Sequence, residues 1–313
     1  MKRLLVPGLP AALLLAAAAP VQAEAYLQAH ANGAAIDWLD GSAVATGRAP
    51  ILRPIKDRPP LYEENKEKAA RDARARLLEA LAQAPLDASR RLGAEEQVMA
   101  RYAKMLDQEP ATSVVQDEGP LFRVSMTIGL RGDRGVLGLL LPLGRSPEDG
   151  AGVTTASLAI PAQGEDITGL VIDARHLTED RRAAPALLPR ILDTEGRVVH
   201  GPATVDPAIA RQFGLAGYAV AREGSEAVGR RAGSRPIEAR AVRAEGELHS
   251  DIVIGLRDAE RILAEAARTP FLKECRVVVL LPQAPAPPPM TPPTARPRPQ
   301  PPSPAPREPR EPR

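Results

Sequence analysis

The chain predicts an α+β protein of two small units with antiparallel sheets, followed by a disordered proline-rich C-terminal tail. Three features predict it. Short apolar stretches bounded by turn signals alternate with segments whose apolar residues recur at helical spacing, in the order strand, helix, helix, strand. Residues 144–166 are rich in Gly, Pro, Ser and Thr and interrupt that order, as a linker does. From Pro282 to Arg313, 15 of the 32 residues are proline, a composition that favours extended or disordered chain over a packed core.

The first unit is expected over residues 24–143. Ala35-Ile36-Asp37-Trp38 and Ser42 to Gly47 flank an Asp40-Gly41 turn, so residues 34–47 read as a hairpin. Trp38, the only tryptophan, is expected to pack against the next helix. Residues 48–60 read as irregular and proline-rich. Residues 61–84 predict a helix: Glu63, Glu64 and Glu67 lie early, Arg71, Arg74 and Arg76 late, and Ala69, Ala73, Leu77, Leu78 and Leu81 repeat at helical spacing. Pro85 ends it. A second helix is expected from Ala94 to Leu106. Residues 112–116 and 121–141 read as strands, with Arg131 to Gly135 as a turn and Val136 to Leu141 as the returning strand.

The second unit is expected over residues 167–281. Thr168 to Arg175 contains a short buried strand, and Ile191 to His200 a hairpin around Glu195-Gly196. Residues 206–214 predict one or two helical turns stopped by Gly214. Strands are expected at Ile237–Val242, Asp251–Ile254 and Val277–Leu281, and a helix from Arg257 to Ala267. Residues 282–313 form the tail, which at about 3.1 Å per residue would reach on the order of 100 Å.

The first 23 residues predict export. Met1-Lys2-Arg3 is basic, Leu4 to Ala19 is largely apolar but too short to stay as a membrane span, and Val21 and Ala23 fit a small-residue cleavage pattern. Cleavage after Ala23 would leave a mature chain starting at Glu24 in the periplasm or outside the cell; an uncleaved anchor is the competing reading. Cys275 is the sole cysteine, so no intrachain disulfide forms and no lipid-accepting Cys stands at the mature start. A buried thiol and a reactive thiol are the two readings of Cys275. A formal charge of +2 lacks the basic footprint of a nucleic-acid binder.

Two stretches resemble a known family. Asn32-Gly33-Ala34-Ala35-Ile36-Asp37-Trp38 through Ala45-Thr46-Gly47, with Lys68-Ala69-Ala70-Arg71 and Ala73 to Glu79, resembles the LPP20-like domain of bacterial envelope lipoproteins and flagellar-assembly-associated secreted proteins. Thr168 to Arg175, Leu188 to Asp193, Gly196 to Gly201, Asp251 to Ile254, Asp258-Ala259 and Phe271 to Val279 are similar to the C-terminal half of poorly characterised secreted proteins with that N-terminal domain. The resemblance implies an exported, envelope-associated, non-enzymatic role; the absence of an N-terminal Cys departs from the lipoprotein members.

No catalytic residue, cofactor-binding residue or metal ligand is assigned, and no cofactor is expected. His30, His176, His200 and His249 stand at no metal-ligand spacing. Asp173 and His176 form an Asp-x-x-His pair at a strand end, with two readings: a base or metal site, or an Asp bonded to the following turn. Ser225 has no nucleophile context. Arg131-Gly132-Asp133 matches an adhesion tripeptide, but a turn explains it. Arg230-Arg231 and Arg240/Arg243 have no interleaved aromatics and read as a solvated face. The mixed charges of Glu63 to Arg76 suit a solvated helix face or a partner-binding one. The chain is thus expected to be a structural or interaction protein of the envelope, with a protein partner, no nucleic acid, and peripheral contact of the tail with wall or membrane surface. The alternative is an envelope hydrolase or wall/lipid-binding module using the second unit, and a hydrolase would need Asp173 and His176 to converge in one pocket.

Overall fold

The computed structural model describes residues 26–50, 59–108, 114–118, 121–141, 166–177, 181–220 and 226–283. The expected signal peptide, nearly all of the linker, Ser225 and the tail beyond Gln283 lie outside them. The fold is α+β, with two sheets.

The first sheet is antiparallel throughout. It contains β1 (Leu27–Ala29), β2 (Ala34–Asp37), β3 (Ser42–Pro50), β4 (Val114–Glu118) and β5 (Leu121–Gly129), in the order β1-β2-β3-β5-β4. Alternation decides its faces. Ala43, Ala45 and Ala49 of β3 pair with Ile128, Met126 and Phe122 of β5, and all six are buried. Across that face lies α1 (Pro59–Gln83), which buries Ala69, Ala73, Leu77, Ala80 and Leu81.

Gly47 sets how close the helix and sheet come. A Cβ there would overlap the Ala69 carbonyl oxygen and the Ala73 nitrogen. Small residues on both partners, Ala69 and Ala73 on α1 and Gly47 on β3, therefore let the two backbones touch.

The helix expected over 61–84 is α1, and the second is α2 (Glu96–Gln108). Two expectations need correction. Residues 48–50 belong to β3 and residues 59–60 to α1, and the remainder of that stretch, 51–58, lies outside the described residues. The strand expected to return over Val136–Leu141 is a short helix, α3 (Val136–Leu140). A short apolar run does not distinguish helix from strand by pattern. Here the Leu137 amide bonds Leu130 O, and Leu141 N bonds Leu137 O, which closes a helical turn.

The second sheet has seven strands: β6 (Gly169–Asp173), β7 (Ile191–Asp193), β8 (Val198–His200), β9 (Gly217–Ala219), β10 (Pro236–Glu245), β11 (Asp251–Ile254) and β12 (Val277–Leu280). Their order is β8-β7-β11-β10-β6-β12-β9. This sheet is mixed, which corrects the expectation of a second antiparallel one. β6 is parallel to β10 and β12, β12 to β9, and β7 to β11, while β10/β11 and β7/β8 are antiparallel.

The cause lies in a crossover. β9 is followed by α5 (Glu226–Ala232) and then β10, and α5 packs over β6 and β12, the strands it passes. Strands covered on both faces are apolar at successive positions, as Leu170-Val171-Ile172 and Val277-Val278-Val279 are. Long β10 is the spine: its first half pairs β6, its second half pairs β11, and a register shift between Ala241 and Arg243 marks the change. α4 (Pro207–Phe213) is capped by Asp206, whose carboxylate accepts the Ala208 and Ile209 amides, and ends at Gly214 with φ 73°. α6 (Leu256–Ala266) buries Ala259 and Ile262.

The two sheets share one principal core, which runs from Ile36, Trp38 and Leu77 to Leu170, Tyr218 and Ile262. Trp38 shares its buried cluster with Ala73, Leu77 and Leu81 of α1 and also reaches the second sheet. Its ring meets Tyr218 of β9 edge-on, centroids 5.9 Å apart, and its Nε1 donates to Gln28. Main-chain bonds also cross between the units: Tyr26 N to Tyr218 O, Gly132 N to Arg211 O, Leu187 N to Pro85 O, Leu188 N to Leu86 O and Leu248 N to Ala88 O.

Candidate functional site

Asp173 and His176 do lie together at the carboxyl end of β6, an end where parallel strands often present ligand sites. Arg175 and Arg240 complete the cluster. The Asp173 carboxylate accepts Arg175 Nε and Nη2, each at 2.9 Å, and the Arg175 amide at 3.0 Å. The hydrogen bond from the Arg175 side chain, outweighing partial burial, holds this carboxyl below its usual range. His176 Nδ1 faces Arg240 Nε at 3.4 Å. A carboxylate already engaged by a guanidinium and by its own turn is a weak proton acceptor. This is the turn-bonding role weighed for Asp173.

The other histidines are separate. His30 sits at the β1–β2 turn, where burial pulls its pKa down and Glu79 partly opposes. His249 takes a positive φ of 52° at the entry to β11. His200 is fully buried, and burial lowers its pKa to about 4. Among the described residues, no three His, Cys, Asp or Glu side chains gather in a way that would hold a metal. Also among them, no helix is long and apolar enough to cross a membrane.

Cys275 is 1% exposed, and burial pushes its thiol up to about 12. The structure therefore selects the buried-thiol reading. The Arg131-Gly132-Asp133 tripeptide is split. Arg131 turns inward and donates Nη2 to Leu39 O at 2.6 Å, while Asp133 stays exposed and lies 3.6 Å from Arg211.

Arg231 corrects the solvated-face reading. Arg230 is exposed, but Arg231 points in and donates Nε to Val277 O, Nη1 to Phe213 O and Nη2 to Gly214 O, at 2.7–2.9 Å. Two of these carbonyls end α4, where a cation is favoured. Burial still lowers the guanidinium to about 9, and Arg131 to about 10, with each remaining charged at neutral pH. Glycines make room for both: a Cβ at Gly214 would lie 3.3 Å from Arg131 Nε, and one at Gly217 would lie 2.8 Å from Arg231 Cδ.

These contacts converge on one segment, residues 211–218. Its Arg211 carbonyl holds Gly132 of the first unit, its Phe213 and Gly214 carbonyls hold Arg231, its Leu215 carbonyl meets His200 Nε2 at 3.0 Å, and its Tyr218 meets Trp38 and Tyr26. Leu141, next to α3, shares a buried cluster with Ala210, Leu215 and Cys275. Among the described residues, 211–218 thus form one of two joints between the units, the other being Pro85–Ala88 against Leu187, Leu188 and Leu248, and sequence reasoning saw in 211–218 only the helical turns that end at Gly214.

A cavity of about 410 Å³ opens elsewhere on the seam, between Asp87, Ala88, Ser89 and Arg90 of the first unit and Leu188, Arg190 and Pro202 of the second. Its charges are internally engaged. Asp87 accepts the Ser89 and Arg90 amides and the Arg90 guanidinium, Arg90 also reaches Glu95 at 2.7 Å, and Arg190 is paired with buried Asp251.

A family model described as Treponema pallidum Tp0624, second domain, matches residues 169–283, just over a third of the chain. Over β6 to β12 the chain is therefore similar to that domain. No similar sequence was found among curated proteins.

Proposed function

We propose that this is an exported cell-envelope protein with a structural or docking role and no catalytic step. One observation carries the reading: Asp173, Arg131 and Arg231, which sequence pattern singles out, and the charged residues along the seam are spent on holding the molecule together. Asp173 fixes its own turn, Arg131 and Arg231 bind main-chain carbonyls, and the Asp87–Arg90 and Asp251–Arg190 pairs lie along the seam. The result is a two-sheet body with a shared core, suited to presenting surfaces to a partner. The basic and apolar leader supports export and cleavage after Ala23, and the lack of a Cys there supports a non-lipidated chain. The LPP20-like resemblance of the first unit supports an envelope setting.

The test is mild in-cell cross-linking of the tagged full chain, followed by fractionation, with the mass of the mature N-terminus read in parallel. A mature start at Glu24 and one recurring envelope protein in the cross-linked product are expected. Retention of residues 1–23 in the cytosol, or a monomer with no recurring partner, would overturn the proposal.

A further inference from the structure

This joint contains a buried histidine, and we propose that protonation of His200 loosens residues 211–218 and so opens this side of the seam between the two units in mild acid. His200 ends β8 and is fully buried. Its Nε2 lies 3.0 Å from Leu215 O, and its buried Nδ1 has no hydrogen-bond partner among the described residues. With Nε2–H donating to that carbonyl, Nδ1 is the nitrogen that takes the added proton. That proton would be buried without an acceptor, which is costly.

α6, which packs on β8, buries Ala259 and Ile262 and pairs its Asp258 with Arg261. Arg231 on α5 acts on the ring directly and disfavours the imidazolium. Arg211, at the end of α4, is turned to Asp133, and Asp193 on β7 is taken by Arg197 and the turn that follows. Tyr218 and Cys275 are held neutral by burial. No carboxylate among the described residues bonds the ring to offset the charge.

The opening that exposes His200 has a definite place. Leu215, which holds the ring, directly follows the two carbonyls that hold Arg231 and lies three residues before Tyr218, which holds Trp38. Releasing Leu215 toward water gives the imidazolium its solvation and weakens the Arg231 and Trp38 contacts together.

The sign follows from linkage. The native ring titrates near 4 against 6.5 when free, so the native joint is fully favoured above about pH 6.5. As the pH falls below that, any state exposing the ring gains protons that the native state refuses. At pH 5 the two values give an increase of about 30-fold in the opening equilibrium.

Trp38 is the only tryptophan and sits on the joint, so its emission reports opening. The experiment titrates the full chain from pH 8 to 4, following Trp38 emission and far-ultraviolet circular dichroism, beside His200→Gln, which keeps a nitrogen donor for Leu215 O but does not titrate. Wild-type emission should shift red below about pH 6 while the dichroism persists, and the variant should shift at least one pH unit lower. Hydrogen exchange on the unmutated chain at pH 7 and 5, corrected for intrinsic rates, needs no variant. Protection should fall first in residues 211–218 and 38–41. Equal titration of variant and wild type, emission and dichroism lost together, or protection lost first elsewhere would overturn the proposal.

Discussion

Gly47→Ala adds one methyl group, and the structure gives that methyl nowhere to go. The new Cβ would overlap the Ala69 carbonyl oxygen and the Ala73 nitrogen and lie 2.9 Å from Ala73 Cβ. The first two atoms are backbone of α1, so no rotamer change relieves them. Either α1 lifts from β3, or β3 bends away from β5. Lifting α1 loosens Ala69, Ala73 and Leu77, each fully buried. Overpacking of this kind costs about 1–3 kcal/mol, and a backbone clash belongs at about 3 kcal/mol or above.

Gly229→Ala is the internal control. Gly229 lies in α5, and a Cβ there meets nothing within 4 Å. The same chemical change should therefore stabilise by up to about 1 kcal/mol through helix propensity. Urea unfolding of both variants, with the slope checked for two-state behaviour, reads the difference. Opposite signs are expected. If Gly47→Ala falls within about 1 kcal/mol of wild type, the close approach of β3 and α1 is not the packing contact described here.

Two other outcomes are expected. Trp38→Ala should cost about 3 kcal/mol or more, because it removes a nearly buried ring and leaves Tyr218 facing a hole; urea midpoints read it, and a loss under about 1 kcal/mol would contradict the shared core. Cys275 should resist a thiol reagent at pH 8 until denaturant is added, since its thiol is pushed up to about 12 and is buried; native labelling at the rate of a free thiol would show that the Leu141–Leu215 cluster opens.

Local signals in the sequence located most elements. Asp40-Gly41 marks the β2–β3 turn, where Asp37 also caps the Leu39 and Asp40 amides. Asp206-Pro207 and Gly214 bracket α4 at both ends. The strand directions of the second sheet were hidden for a specific reason. β9 is only Gly217-Tyr218-Ala219, without β-branched residues, and α5 carries Gly229 in its middle. Missing those two elements hides the β9–α5–β10 crossover, and with it the parallel pairing. The joint was hidden for a different reason. Arg231 and Arg131 look like surface residues because their acceptors are main-chain carbonyls supplied by distant segments, and carbonyls leave no trace in residue type.

The Asp173 cluster separates the docking proposal from the hydrolase alternative. A hydrolytic role would need Asp173 free to orient His176 or to take a proton from water. In the structure its carboxylate is bidentate with Arg175, and its pKa is held down chiefly by that contact. The pair is about 40% exposed on each side, so solvent screens it and its loss should cost less than about 1 kcal/mol. His176 makes one long contact with Arg240. The double variant Asp173→Asn, His176→Gln should therefore unfold within about 1 kcal/mol of wild type. It should also capture the same cross-linked partners from the envelope. Loss of the partner with the fold intact would move the docking surface to the end of β6. An activity present in the wild type and absent from the folded variant would establish the hydrolase alternative, since a screened surface ion pair has no other route to such a loss.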